Sequence, residues 1–300
     1  MTVNIDDLKK AGSGWSIEVT PTGAAKIESF KDVLPAGTHV NVTFLPGTDP
    51  MDTIAVAKRL RDDGLQPVPH IAARSLSDKD QLDMLVAKMT SEAAVDEVLV
   101  IGGGVDNPVG DFDSSMQVLE TGILQKHGIK AIGVSGHPEG SPDISDQAIA
   151  DALGWKNAFA EKEGLKLYIE TQFCFEADAV LNWERKIRAD GNKLPIKVGI
   201  PGPATIKTLF RFATISGIGP SMRFIAKQAK NVAKLMTVQS PHLLLSGLAA
   251  GKAADENCLI ESWHYYPFGG FARTAKYASA IEQGAVSPLA KGGFDVNEDA

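Results

Sequence analysis

Pro67–Ile101 reads PVPHIAARSLSDKDQLDMLVAKMTSEAAVDEVLVI. The run PVPHIA opens it, and a second run, Glu97–Ile101 (EVLVI), closes it. Between them, Asp80–Met89 (DQLDMLVAKM) carries apolar residues at helical spacing. Strand, helix and strand in that order is the signature of a βαβ unit, and hence of a parallel sheet.

The alternation extends both ways. Trp15–Thr20 (WSIEVT) and His39–Phe44 (HVNVTF) come earlier, with a helical window at Met51–Arg61. Lys130–Ser135 (KAIGVS), Leu165–Thr171 (LKLYIET), Ile196–Ile200 (IKVGI) and Cys258–Trp263 (CLIESW) come later. Eight strand candidates with helices between them predict an α/β fold, a (β/α)8 TIM barrel. A doubly wound open sheet is the alternative, because strand order is not written in one sequence. Ala204–Ala253 has room for more than one helix, so an extra helical segment is expected before the last strand. With no linker or low-complexity stretch, residues 1–300 read as a single barrel domain, its core about 15–285 between polar N- and C-terminal tails.

Composition narrows the function. A chain of 300 residues with 44% hydrophobic content can bury a large core. The net charge of −7 comes from intermixed acids and bases, with no basic block, so no nucleic-acid partner is expected. MTVNIDDLKKAGSG is polar and lacks an apolar signal core. The most apolar window, His242–Gly251 (HLLLSGLAAG), is too short to span a bilayer, so no membrane partner is expected either. Cys174 and Cys258 are isolated, which points to a reducing compartment. The expectation is a cytoplasmic protein, with a homo-oligomer left open.

In a barrel, chemistry belongs where strands end and loops begin. That filter selects Glu18, Thr43, His70, the Gly102–Gly104 loop, His137, Glu139, Gln172 and Arg273. Glu18 interrupts an apolar run, SIEVTP; a carboxyl buried there would move towards the general-acid range. The competing reading turns it outward to pair with Lys26. His70 is a base or a hydrogen-bonded structural residue. With no second histidine at ligand spacing and no nearby cysteine, it suggests no metal site. Gln172 either presents its amide to a heterocycle edge or caps the next helix. Phe212 and Phe271 stack on a ligand ring or join the core.

Val98–Ser115 (VLVIGGGVDNPVGDFDSS) fits neither phosphate template. The third glycine of a dinucleotide fingerprint would fall on Asn107, and no Gly-Lys-Ser/Thr follows. Gly102, Gly103 and Gly104 instead let a backbone lie beside something flat, and Asp106, Asp111 and Asp113 leave the loop acidic.

Several segments together resemble the methylenetetrahydrofolate reductase family. SIEVTP is similar to its first strand, HVNVTF to its second with a threonine near the end, and PVPHIA to its Pro-His third strand. VLVIGGGVDNP resembles the fourth strand and flavin-facing loop, VSGHPEGSP the Pro-Glu segment, ETQFCF the Thr-Gln-Phe motif and GIPGP the Pro-Gly after strand seven. WHYYPFGGFAR lies where that family carries an aromatic segment and an arginine. The match runs from Trp15 to Ile281; no one motif is specific, but eight stand in the right order.

The resemblance implies hydride transfer from NADH or NADPH to 5,10-methylenetetrahydrofolate, giving 5-methyltetrahydrofolate, in one-carbon metabolism. Glu18 would be the general acid. Gln172 would bind the pterin edge, Phe212 would pack on the folate, and Arg273 would also contact substrate. Thr43, His70, Gly102, Gly103, Gly104, Asp106 and His137 would line the redox partner's site. Flavin-dependent members carry an Arg-Gly-Asp-like triplet after strand four and an Arg-Lys pair after strand five. Here the loop has no arginine, Asn157-Ala158 stands in the second place, and His137 replaces a tyrosine. The expectation is therefore direct transfer without tightly bound FAD. The alternatives are a flavin-dependent reductase and a non-catalytic folate-binding barrel. With few basic residues placed in the loops, NADH is favoured over NADPH.

Overall fold

The computed structural model describes residues 3–215, 237–290 and 292–297. Eight parallel strands close into a barrel: β1 (Ser16–Val19), β2 (His39–Val42), β3 (Gln66–Ala72), β4 (Glu97–Ile101), β5 (Ala131–Gly136), β6 (Lys166–Phe173), β7 (Ile196–Pro201) and β8 (Ile260–Tyr266). Around the ring each strand neighbours the next in sequence, and β8 returns to β1. This is a (β/α)8 barrel, and closure rules out the open sheet. Every strand lies within three residues of its predicted span. The largest shift is at β8, where Cys258 N bonds back to Asp255 O in a turn and the ladder is irregular between Ile260 and Ser262. The strand therefore starts later and runs on to Tyr266. Two described helices, Ile206–Ile215 and His242–Ala253, precede β8 and supply the expected extra segment. Among the described residues no helix is long and apolar enough to cross a membrane.

The chain falls into two compact units. One comprises Ser16–Ser135 with Trp155–Ile169. Its strands bury Ile17, Val40, Val68, Val98 and Val134, and the helices Pro50–Asp62 and Lys79–Ala93 bury Leu60, Leu82 and Val86. Each such side chain contributes about 1.5–3 kcal/mol. Aspartates fix both helix starts: Asp49 Oδ1 accepts from Met51 N at 2.9 Å, and Asp78 Oδ1 from Gln81 N at 2.8 Å. In register, Glu18 stands beside Asn41, Asn41 beside Val68, and His70 beside Leu99.

The loop after β4 is pinned to the turn after β3. Arg74 N donates to Gly102 O, Val109 N to Arg74 O and Asp111 N to Ser77 O. At Gly110 a Cβ would lie 1.7 Å from Ser77 O, so only glycine allows this approach.

The other unit holds the described residues up to Trp15, Gly136–Gly154 and those from Glu170 onward. Trp263 and Tyr265 are buried at its centre, and Trp15 Nε1 donates to Glu282 Oε2 at 3.0 Å. Gly199 is required by close approach, since a Cβ there would sit 2.5 Å from Gln172 O.

Candidate active site

Glu18 sits one residue before the end of β1, on an otherwise buried strand. Its carboxylate accepts from Thr43 Oγ1 at 3.1 Å, and Thr43 is itself held by its backbone N to Val19 O. The outward reading, with a bond to Lys26, is replaced by this one. Burial raises the Glu18 pKa to about 7 against the opposing pull of the Thr43 hydrogen bond. A carboxyl poised there can hold a proton at neutral pH and release it to a bound group.

Asn41 is fully buried beside Glu18, and its Nδ2 lies 3.5 Å from His70 Nε2. Burial lowers the His70 pKa to about 4, so the ring is neutral at physiological pH. His70 is thus a hydrogen-bonding ring rather than a cation.

Gly102 and Gly104 face open space, while Gly103 takes φ +99° and a Cβ on it would lie 3.3 Å from Ala72 Cβ. Asp106 is exposed, and its carbonyl accepts from Arg74 Nη2 at 3.0 Å. Arg74 Nε also lies 3.2 Å from Asp113 Oδ1. Arg74 is therefore already engaged by the loop's own acceptors.

In the other unit, Gln172 is the penultimate residue of β6, with an exposed side chain. It does not cap the following helix: Glu176 is the N-cap residue of Ala177–Ala189, without a side-chain cap bond. Its carbonyl is fixed by Thr171 Oγ1 at 2.8 Å and Cys174 Sγ at 3.2 Å. Burial pushes the Cys174 thiol pKa up, with the Glu139 charge adding to it, so Cys174 is no nucleophile.

An aromatic cluster adjoins Gln172. Phe173 packs edge-on against Phe175, Tyr266 and Phe268, and Phe212 stacks on Phe268 at 4.5 Å. Phe268 adopts φ +49°, an uncommon conformation for a bulky side chain and a mark of local strain. Phe212 is only partly buried, so it offers ring surface beyond the core.

His137 and Glu139 are half-buried in the turn after β5, closed by Gly140 N to His137 O. Arg273 lies in the first turn of the helix Phe271–Gln283 rather than in a loop, and is exposed. Gly270 leaves room for it, since a Cβ there would be 2.7 Å from Arg273 Nη2.

The structure adds residues the sequence reading passed over. Glu170 and His264, both buried, face each other at 3.6 Å, and Tyr266 donates its hydroxyl to Thr171 O at 3.0 Å. Asn41, Glu170 and His264 carried the same signal as Glu18, a polar residue inside an apolar run. A groove of about 320 Å3 lined by Gln125, Trp155, Phe159 and Lys162 contains none of the predicted residues, so concavity alone does not find this site.

No family model matches the chain. Among solved structures it is similar to an uncharacterized protein from Clostridium thermocellum that binds two copies of 5-methyl-5,6,7,8-tetrahydrofolic acid. The TM-score is 0.55 at 13% identity, over 91% of this chain and 98% of that one. What the two share at that distance is the fold.

Proposed function

We propose that this chain binds a reduced folate at the C-terminal ends of its barrel strands. There it passes hydride between NAD(P)H and the 5,10-methylene/5-methyl tetrahydrofolate pair, without a tightly bound flavin. The observation that carries the reading is Glu18, whose half-buried carboxyl has its pKa raised to about 7 with a hydroxyl partner in place. The folate bound by the structurally similar Clostridium thermocellum protein supports the choice of substrate.

The chemistry follows from that proton. Glu18 protonates N10 as the bond from N10 to the bridging methylene breaks, leaving an iminium at N5. NAD(P)H supplies a hydride to the methylene carbon, which becomes the N5-methyl group, and solvent reprotonates Glu18. The exposed Gln172 amide offers a donor and an acceptor to a pterin edge, and Phe212 offers a ring face.

The residues present do not fit a tightly held FAD. A pyrophosphate favours unpaired positive charge or open backbone N–H groups. The loop after β4 instead presents Asp106, Asp111 and Asp113, and Arg74 is bound to two of that loop's own acceptors, Asp106 O and Asp113 Oδ1. Lys156 is buried, and burial lowers its pKa to about 8. Ala158, at one of the positions where the resemblance would put a basic residue, is exposed and uncharged.

Freshly purified protein should show no flavin absorbance. It should oxidise NADH with 5,10-methylenetetrahydrofolate in the absence of added FAD. Stoichiometric FAD, or turnover strictly dependent on adding it, would replace direct transfer with the flavin-dependent reaction. Folate binding without turnover under either condition would leave a non-catalytic barrel, and no folate binding would end the reading.

A further inference from the structure

Behind His70 lies a partly open cavity of about 20 Å3 between β3 and the helices Pro50–Asp62 and Lys79–Ala93. Ile71, Leu82 and Leu85 give it apolar walls. Three of its lining residues bring buried polar atoms that have no hydrogen-bond partner among the described residues: Thr53 Oγ1, His70 Nδ1 and Ser75 Oγ. Leaving a buried donor or acceptor unmet costs roughly 1–3 kcal/mol, and three around one small space is a costly arrangement. A water needs roughly 10–15 Å3 for its centre and two to four polar partners, and this cavity offers both.

We propose that one internal water molecule occupies this cavity and ties His70 Nδ1 to Thr53 and Ser75, making those two hydroxyls positioning residues for the ring. The hydrogen-bond directions follow from the other side of the imidazole. Asn41 Nδ2 lies 3.5 Å from His70 Nε2, and an amide NH2 can only donate, so Nε2 accepts. The ring proton then resides on Nδ1, which donates to the water. The water donates its two hydrogens to Thr53 Oγ1 and Ser75 Oγ. The ring is neutral at physiological pH, as burial requires, so a single tautomer satisfies every partner.

Thr53 comes from the helix Pro50–Asp62, and Ser75 from the 3-10 turn Ala73–Ser75 after β3. Among the described residues neither hydroxyl bonds to Asn41 or Glu18, so their influence on that face of the sheet passes through the imidazole. The inference concerns this unit's own hydrogen bonds and stands whether or not the folate reading does.

The test is 15N NMR of histidine-labelled full-length protein at neutral pH, with a high-resolution crystal structure. The expected wild-type result is a protonated Nδ1 and an unprotonated Nε2 for His70, with solvent density within hydrogen-bond distance of all three atoms. Thr53→Val combined with Ser75→Ala should abolish the solvent density and move the Nδ1 shift, while Asn41 keeps Nε2 unprotonated. Thr53→Ser, which keeps the hydroxyl and spares the fold, should retain the wild-type shifts. A wild-type Nε2–H tautomer, a cavity without density, or unchanged shifts in the double variant would each overturn the proposal.

Discussion

Thr43 Oγ1 donates a 3.1 Å hydrogen bond to Glu18 Oε2, and that bond opposes the burial that raises the carboxyl to about 7. Removing the donor leaves burial unopposed. Thr43→Val should move the Glu18 pKa up by about 0.5–1 unit. In the proposed reaction the acid works in its protonated form, so the alkaline limb of the reduction rate should shift to higher pH. A pH–rate profile of both proteins checks this, and a shift to lower pH would contradict the assignment.

Glu18→Gln removes the proton and keeps the shape. Reduction should fall by roughly 10²–10⁴-fold, the usual contribution of a positioned general acid. Folate affinity measured by calorimetry should stay within about threefold, since an amide still fills the place. Normal turnover in this variant would dismiss Glu18 as the donor.

The same substitution makes a separate statement about stability. The folded-state pKa of Glu18 lies above its ordinary value of 4.5, so the folded protein binds more protons than the unfolded chain between about 4.5 and 7. Stability contributed by this group is therefore present below pH 4.5 and lost as pH rises through 7. At pH 8 Glu18→Gln should be more stable than wild type by about 1–3 kcal/mol, a gain that shrinks towards pH 5. Thermal melts across that range read the difference directly.

Gln172 is exposed, so its loss should leave the fold alone. Gln172→Ala should change the melting free energy by less than about 0.5 kcal/mol. It should weaken folate binding by about 0.5–1.5 kcal/mol, which is roughly two- to tenfold. Unchanged affinity would take Gln172 out of the site.

Phe268 sets two costs against each other. Its φ of +49° is strained for any side chain, while its ring stacks on Phe212 and meets Phe173 edge-on. Phe268→Ala loses the rings and keeps the strain; Phe268→Gly loses the rings and relieves it. The glycine variant should be the more stable of the two by about 1 kcal/mol, as judged by urea unfolding.

All eight strands were legible because parallel barrel strands are buried on both faces and read as near-continuous apolar runs. Glu18 was legible for the complementary reason, as a carboxylate that an apolar run cannot tolerate without a purpose. Asn41 in HVNVTF, Glu170 in LYIET and His264 in SWHYY broke their runs in the same way. What hid Glu170 and His264 was that they meet each other across distant strands, a pairing that spacing along the chain does not encode. The exposure of Gln172 and the left-handed backbone at Phe268 were also invisible. Both depend on where β6 and β8 stop, and strand ends are set by turns and neighbours rather than by residue preference.

Gly110 lies so close to Ser77 that the loop after β4 cannot lift without disturbing that carbonyl. Ser77 in turn bonds through its backbone N and its hydroxyl to Gln81 Oε1, and its neighbour Asp78 caps the helix Lys79–Ala93. The glycine-rich loop and the first turn of that helix are therefore one opening unit. In hydrogen exchange, the amides of Val109 and Asp111 should become exposed together with that of Gln81, at a single free energy below that of global unfolding.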